Sequence, residues 1–186
     1  MAEQTGDAHT HDRPVREFAV RGGTASAARP VEVRSPPALV ASRRCDGVDR
    51  LIAVNIRGMF LAARAAAALM APGGRIIGVG SCVTHQAPGP GATLYAMSKS
   101  AVVGLTKAPA RELGGRGITA NVVRLGPTGT DMNPADGPFA DGQAAMTALG
   151  RFGTAEEVAS AVAHLAGPEA VYVTGAELSV DGGYAA

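Results

Sequence analysis

Residues 75–99 read RIIGVGSCVTHQAPGPGATLYAMSK, and the way this stretch folds decides the architecture. RIIGVG at 75–80 is short, apolar and bounded by glycines, the pattern of a strand buried on both faces. QAPGPGAT at 86–93 is a glycine- and proline-rich loop. A helix is predicted from about Leu94 to Leu113, so the order is strand, loop, helix. On that helix Tyr95 and Lys99, one of three tyrosines and one of two lysines in the chain, stand four residues apart. That spacing puts a phenol and an ammonium on one face, one turn from each other. The plain alternative is a surface tyrosine beside a solvated lysine.

The same alternation continues in both directions. Upstream, VDRLIAVNIRGMFLAARAAAALM at 48–70 repeats apolar residues at helical spacing through Val48, Ile52, Met59, Ala62 and Ala66. Asp46 and Asp49 read as a capping pair in front of it, and Ala-Pro-Gly-Gly ends it. Downstream, GITANVV at 117–123 is β-branched and strand-like, TAEE at 154–157 opens another helix, and AELSV at 176–180 is a last strand. Strands and helices alternating at these intervals predict an α/β fold, a parallel sheet with helices on both faces. Residues 1–47 do not share the pattern. Residues 1–14 are polar, and two short strand candidates, EFAV and VEV, flank RGGTASAARP. A βαβ unit needs about 30 residues, so one compressed unit at most fits there. The expected organisation is an irregular or partly disordered segment at 1–47 followed by one folded unit at 48–186.

Bulk properties narrow the function. A chain of 186 residues with 46% hydrophobic residues and a net charge of +1 is one domain's length and can bury a core. No basic stripe suggests nucleic acid. The first residues have neither the basic start nor the apolar centre of a signal peptide. The longest apolar run, residues 51–70, is interrupted by Arg57 and Arg64, short of the roughly 18 uncharged residues of a membrane span. Cys45 and Cys82 form no metal-type spacing and are expected as thiols. The expectation is a soluble cytoplasmic protein with no metal, nucleic acid or membrane partner.

From about Val48 to the C-terminus the chain resembles the second half of a short-chain dehydrogenase/reductase, a family of NAD(P)-dependent oxidoreductases with a Rossmann-type fold. Five motifs carry the likeness in one order: VNIRG at 54–58, GRIIGVGS at 74–81, YAMSK at 95–99, NVVRLGPTGTDM at 121–132, and RFGTAEEVA at 151–159 with VTGAELSVDGG at 173–183. The resemblance implies a Rossmann-like sheet truncated at its N-terminal half. It also implies hydride transfer between NAD or NADP and a carbonyl or alcohol substrate. Tyr95 would be the general acid/base. A free phenol ionises near pH 10, and a nearby ammonium such as Lys99 favours the phenolate. Ser81 would stabilise charge developing on the substrate oxygen, and Asn55 would hold a water linking the lysine to solvent. Tyr95, Lys99, Gly126, Thr128 and Thr130 would line the nicotinamide side of the cofactor. The helices starting near Val48 and Leu94 resemble those of the family's dimer contact, which implies a homo-oligomer.

Each residue has a plainer reading. Ser81 is also a polar strand end, Asn55 a core asparagine bound to backbone, and Thr128 and Thr130 parts of a turn. His85 near Ser81 suggests a serine hydrolase, but G-x-S-x-G is absent because Val79 holds the first glycine position. The chain departs from the family at three points. Leu125 replaces the usual proline before Gly126. Pro109 lies inside the predicted helix and should kink it. No T-G-x-x-x-G-x-G cradle for the diphosphate is present; RGGTASAA at 21–28 is the nearest stretch and lacks the later glycines. The alternative function is therefore a catalytically impaired relic or interaction module that oligomerises with intact relatives.

Overall fold

Four strands form one sheet in the order β1–β2–β3–β4 in the computed structural model, which describes residues 18–21 and 45–186. β2 (Arg75–Ser81), β3 (Thr119–Leu125) and β4 (Glu177–Val180) run parallel, with Arg75 opposite Thr119 and Val122 opposite Glu177. This is the expected parallel sheet, and β1 (Phe18–Arg21) adds an antiparallel strand at its edge, pairing with β2 over Arg75 to Gly78. Phe18, Ala19 and Val20 of the EFAV candidate are thus in a strand; Glu17, the VEV candidate and most of RGGTASAA lie outside the described residues.

The first helical run begins at Cys45, so Asp46 and Asp49 fall inside it and are not its cap. It consists of α1 (Cys45–Ile52), a π-helical turn (Ala53–Gly58) and α2 (Met59–Leu69). Downstream lie α3 (Thr93–Leu113), α4 (Ala140–Ala145) and α5 (Ala155–Ala166). α3 is one unbroken helix with Pro109 inside it. The proline removes a donor to the Leu105 carbonyl, and packing on the sheet carries the helix through. α5 starts on the capping box read from TAEE: Thr154 Oγ1 accepts the Glu157 N–H at 3.2 Å, and Glu157 Oε2 accepts the Thr154 N–H at 2.8 Å.

Side chains alternate across the strands with period two. Ile76 and Ala120 meet Ala66, Met70 and Ala110 on one face, whereas Ile77 and Val123 meet Leu165 and Ala170 on the other. Two helices therefore lie over one face and α5 over the other. A Cβ on Gly78 would come within 3.0 Å of Val102 Cγ1, and one on Gly80 within 2.9 Å of Val122 Cγ2. Gly78 lets α3 settle close to β2, and Gly80 leaves room for the Val122 side chain of the neighbouring β3. Arg116 holds the end of α2, donating from Nη1 to the Ala67 carbonyl at 2.7 Å and from Nη2 to that of Met70. The run Gly47–Leu69 is long and apolar enough to cross a membrane by length and composition. It is mostly exposed in this structure, and Met59, Ala63 and Ala66 are the residues of α2 that it buries.

Candidate active site

The carboxyl ends of β2 and β3 define one edge of the sheet, the place where open α/β sheets bind ligands. Ser81 is the last residue of β2 and stands opposite Leu125, the last of β3. Leu125 also pairs with Val180 of β4, so in place of a proline it extends the ladder by one residue. The serine and the loop that begins at Gly126 thus leave the sheet side by side. Ser81 is buried, and its Oγ accepts the Val83 N–H at 3.4 Å. Its neighbour Cys82 has a thiol pushed up to about 11, chiefly by burial and partly offset by a hydrogen bond with Ser81. At neutral pH it is a thiol, and a poor nucleophile.

α3 brings Tyr95 and Lys99 together. Lys99 Nζ lies 5.6 Å from the centroid of the Tyr95 ring. The lysine is 6% exposed and the tyrosine 44%, so an enclosed cation sits beneath a phenol that is open to a ligand. Burying an ammonium is costly unless it is partnered, and the aromatic face is one favourable neighbour. Asn55 occupies the π-helical turn. π-turns inside α-helices occur frequently at functional sites. The Asn55 side chain is buried, and among the described residues its Oδ1 has no hydrogen-bond partner. A buried acceptor left open calls for a water or ligand donor. α3 packs against this turn.

Gly126 lies directly on the C-terminal turn. Its N–H donates to the Val180 carbonyl at 3.0 Å, and a Cβ would fall 2.5 Å from Asp181 Cα. Thr128 is buried, donates to the Gly126 carbonyl at 3.1 Å and bridges to Gly153. Thr130 is exposed and closes a turn with Asn133 by two backbone hydrogen bonds. The loop is therefore a shaped backbone surface that leaves the sheet beside Ser81. The glycine-turn reading at 21–28 lies outside the described residues beyond Arg21. Among the described residues no cluster of three or more His, Cys, Asp or Glu is arranged to hold a metal ion.

His85 is turned away from Ser81 Oγ. Its ring contacts Arg124, with Nε2 2.6 Å from Nη1, and its Nδ1 lies 3.2 Å from Thr84 Oγ1. Arg124 is buried in β3 and also donates to Ser179 Oγ at 2.8 Å. No Ser–His pair forms. The C-terminal turn was not among the site residues expected from sequence. Gly182 and Gly183 adopt positive φ there, a Cβ on Gly183 would come within 2.6 Å of Ala148 Cβ, and the buried Tyr184 reaches Met146 Sδ at 3.8 Å. The Asp-Gly-Gly of 181–183 was its only signal.

The family described as Enoyl-(Acyl carrier protein) reductase matches residues 27–185. The chain is 48% identical over 141 residues to the cyclic-di-GMP-binding biofilm dispersal mediator protein of Escherichia coli (strain K12), covering 76% of this chain and 60% of that protein. It is 42% identical over 166 residues to the (3R)-3-hydroxyacyl-CoA dehydrogenase of Rattus norvegicus, covering 80% and 63%. Among solved structures, a short chain dehydrogenase from Burkholderia cenocepacia in complex with NADP superposes with a TM-score of 0.78 at 43% identity, over 81% of this chain and 62% of that one. The chain thus spans about 60% of the length of the curated relatives it matches. It belongs to the short-chain dehydrogenase/reductase family.

Proposed function

We propose that the chain carries the catalytic half of an NAD(P)-dependent oxidoreductase that interconverts a carbonyl and an alcohol. The observation that carries this reading is Lys99 Nζ held 5.6 Å from the ring of a half-exposed Tyr95. In reduction Tyr95 gives its phenolic proton to the carbonyl oxygen, and Lys99 offsets the charge left on the phenolate. Ser81 turns its hydroxyl to the same oxygen and stabilises the negative charge that develops there. Asn55 Oδ1 accepts from a water that returns a proton toward Lys99. A nicotinamide, when bound, supplies the hydride in reduction and takes it in oxidation. The NADP complex of the Burkholderia relative supports that cofactor class. Gly126, with no Cβ and its carbonyl held by Thr128, and the open Asn55 acceptor fit it. NAD and NADP both remain candidates.

A groove of about 500 Å³ between the first helical run and α3 supports oligomerisation. It is lined by apolar residues such as Met59, Phe60, Leu105 and Pro109, with Asn55, Arg57 and Glu112 as its polar members. A second copy presenting the same face is the proposed occupant. Since the groove does not depend on turnover, it equally favours the alternative of a module that pairs with intact relatives. Steady-state reduction of a ketone panel with NADPH and with NADH separates the two. General acid–base groups contribute about 10²–10⁴-fold, so Tyr95→Phe should nearly abolish turnover with folding unchanged. A variant keeping more than half of the wild-type rate, or a wild type that binds neither nucleotide, would sink the enzyme reading.

A further inference from the structure

Arg124 is the last residue but one of β3, and strand alternation puts its side chain on the face where Ala120 and Val122 meet α2 and α3. Gly80 stands opposite it in the ladder and gives its stem room, since a Cβ there would lie 3.4 Å from Arg124 Cγ. The side chain is 9% exposed. Its guanidinium ties three segments together. Nη1 contacts both ring nitrogens of His85, Nε2 at 2.6 Å, on the loop after β2. Nη2 donates to Ser179 Oγ on β4 at 2.8 Å, and among the described residues Nε has no partner.

His85 closes the short 3₁₀ turn Cys82–Thr84 that leaves Ser81. Thr84 Oγ1 donates to the Ser81 carbonyl at 3.0 Å and lies 3.2 Å from His85 Nδ1. The contacts thus run unbroken from Arg124 through His85 and Thr84 to Ser81. A guanidinium only donates, so the ring beside it must be neutral, with one bare nitrogen. An imidazolium has no acceptor and would bring a second cation against the first. His85 is exposed and can take up that proton from solvent. The released guanidinium has a destination. Glu177 Oε2 lies 3.6 Å from Nη1, buried and with no hydrogen-bond partner among the described residues. The Glu177 carboxyl is held below the ordinary carboxylate range, first by its hydrogen bond with Lys107, so it stays charged in mild acid. The remaining titratable neighbours of the turn are Cys82, a thiol at neutral pH, and Asp181 and Tyr184, which interact with that thiol.

We propose that Arg124 is a positioning residue for Ser81 and that His85 switches it. With His85 neutral, Arg124 holds the serine turn against the sheet. With His85 protonated, the guanidinium closes on Glu177 and the turn comes loose. This role rests on the reading of Ser81 as the hydroxyl that meets the carbonyl oxygen. A stabilising donor must stand within hydrogen-bond reach of that oxygen as charge develops. A loosened turn therefore slows reduction without touching Tyr95 or Lys99. Histidine is the residue type whose charge changes between about pH 5 and 8, so the serine is held at the alkaline end of that range and freed at the acid end.

Cys82 follows Ser81, is buried, and reports on the turn through its access to a pyridyl disulfide. In a Cys45→Ser background of the full chain it is the one remaining thiol. Dividing each labelling rate by that of His85→Gln at the same pH cancels the thiol's own ionisation. For the unsubstituted His85 the ratio should be near one at about pH 8 and rise several-fold by about pH 5.5. His85→Lys, charged throughout, and Arg124→Met should label fast at both. Denaturation midpoints taken alongside separate local opening from global unfolding. If Arg124→Met unfolds, His85→Lys, at an exposed position, carries the same comparison. With any ketone of the panel that is turned over with NADPH, Arg124→Met should lower kcat about tenfold at unchanged KM, short of the roughly 10²–10³ for losing a stabilising donor outright. The fall of kcat in acid should be smaller in His85→Gln. A labelling ratio that stays flat with pH, slow labelling of His85→Lys, or an opened turn with kcat unchanged would each overturn the proposal. The expected labelling with no turnover in any variant sinks the reductase reading and leaves the switch standing.

Discussion

Gly126 rests on Asp181 with no room for a side chain: a Cβ would sit 2.5 Å from the aspartate Cα and 2.7 Å from its carbonyl oxygen. Such contact is backbone against backbone and cannot be relieved by a rotamer change. Gly126→Ala must displace either the loop after β3 or the C-terminal turn. Overpacking of this kind costs about 1–3 kcal/mol. A lower denaturation midpoint at unchanged slope is expected, with any nucleotide binding reduced further. A midpoint equal to wild type would show that the two turns yield freely.

Nucleotide affinity should be weak in this chain. The proposed nicotinamide side keeps its loop after β3, but no glycine-rich diphosphate motif occurs in the sequence. Hydrogen bonds to a charged group contribute about 1.5–3 kcal/mol each. Losing two weakens binding by about 3–6 kcal/mol, or on the order of 10²–10⁴ in Kd. Millimolar binding with little preference between NADPH and NADH is expected by calorimetry. A micromolar site would mean that residues 21–28 or a partner copy rebuild the cradle.

Acid should destabilise the protein partly through Glu157. Its carboxyl is lowered from the ordinary 4.5 to about 2, first by the hydrogen bond from Arg151 and then by that from the Thr154 N–H. The unfolded chain takes up this proton at a higher pH than the folded one. The contribution is therefore present above pH 4.5 and lost as the pH falls toward 2. Glu177, lowered by its hydrogen bond with Lys107, works in the same direction. Melting temperatures followed from pH 6 to pH 2 should fall less steeply for Glu157→Gln than for the wild type. Parallel curves would remove the capping box from the account.

Asn121 spans the gap between β3 and the segment before β4. It donates from Nδ2 to the Val173 carbonyl at 2.8 Å and accepts the Ala176 N–H on Oδ1 at 3.0 Å, while only 1% exposed. Asn121→Ala leaves two backbone groups without partners, at about 1–3 kcal/mol each. A loss of that size in chemical denaturation is expected. Asn121→Leu should do no better, because shape does not replace the bonds.

What could be read in advance follows from where the determining forces lie. β2, β3 and α3 fall within two residues of their expected limits, and α5 starts where TAEE places it, because their signals are local: β-branched runs, a serine at a strand end, a threonine with a glutamate three residues on. The Tyr95–Lys99 pair was legible for the same reason, since helical spacing alone sets it. α4 was not, because Ala140–Ala145 is a weak helical sequence held by the distant Asn133 side chain and the C-terminal turn. The direction of β1 was equally hidden, since a four-residue strand carries no mark of which way it runs.

The π-helical turn at 53–58 makes the first helical run sensitive to its own length. A π-turn holds one more residue than an α-turn, and one residue is about 100° of helix rotation. The turn therefore works as a phase shifter: it lets Asn55 face inward while the apolar faces of α1 and α2 keep their separate alignments. Deleting a single residue between Ala53 and Gly58 would restore a plain α-helix with one more regular backbone bond. Because the π-turn takes up its extra residue within one turn, that deletion would leave α1 and α2 in phase and would shift the residues of the turn itself, moving Asn55 from its inward position. A further insertion in this stretch, which the turn cannot take up, is therefore expected to be harsher than a substitution, even of a buried residue.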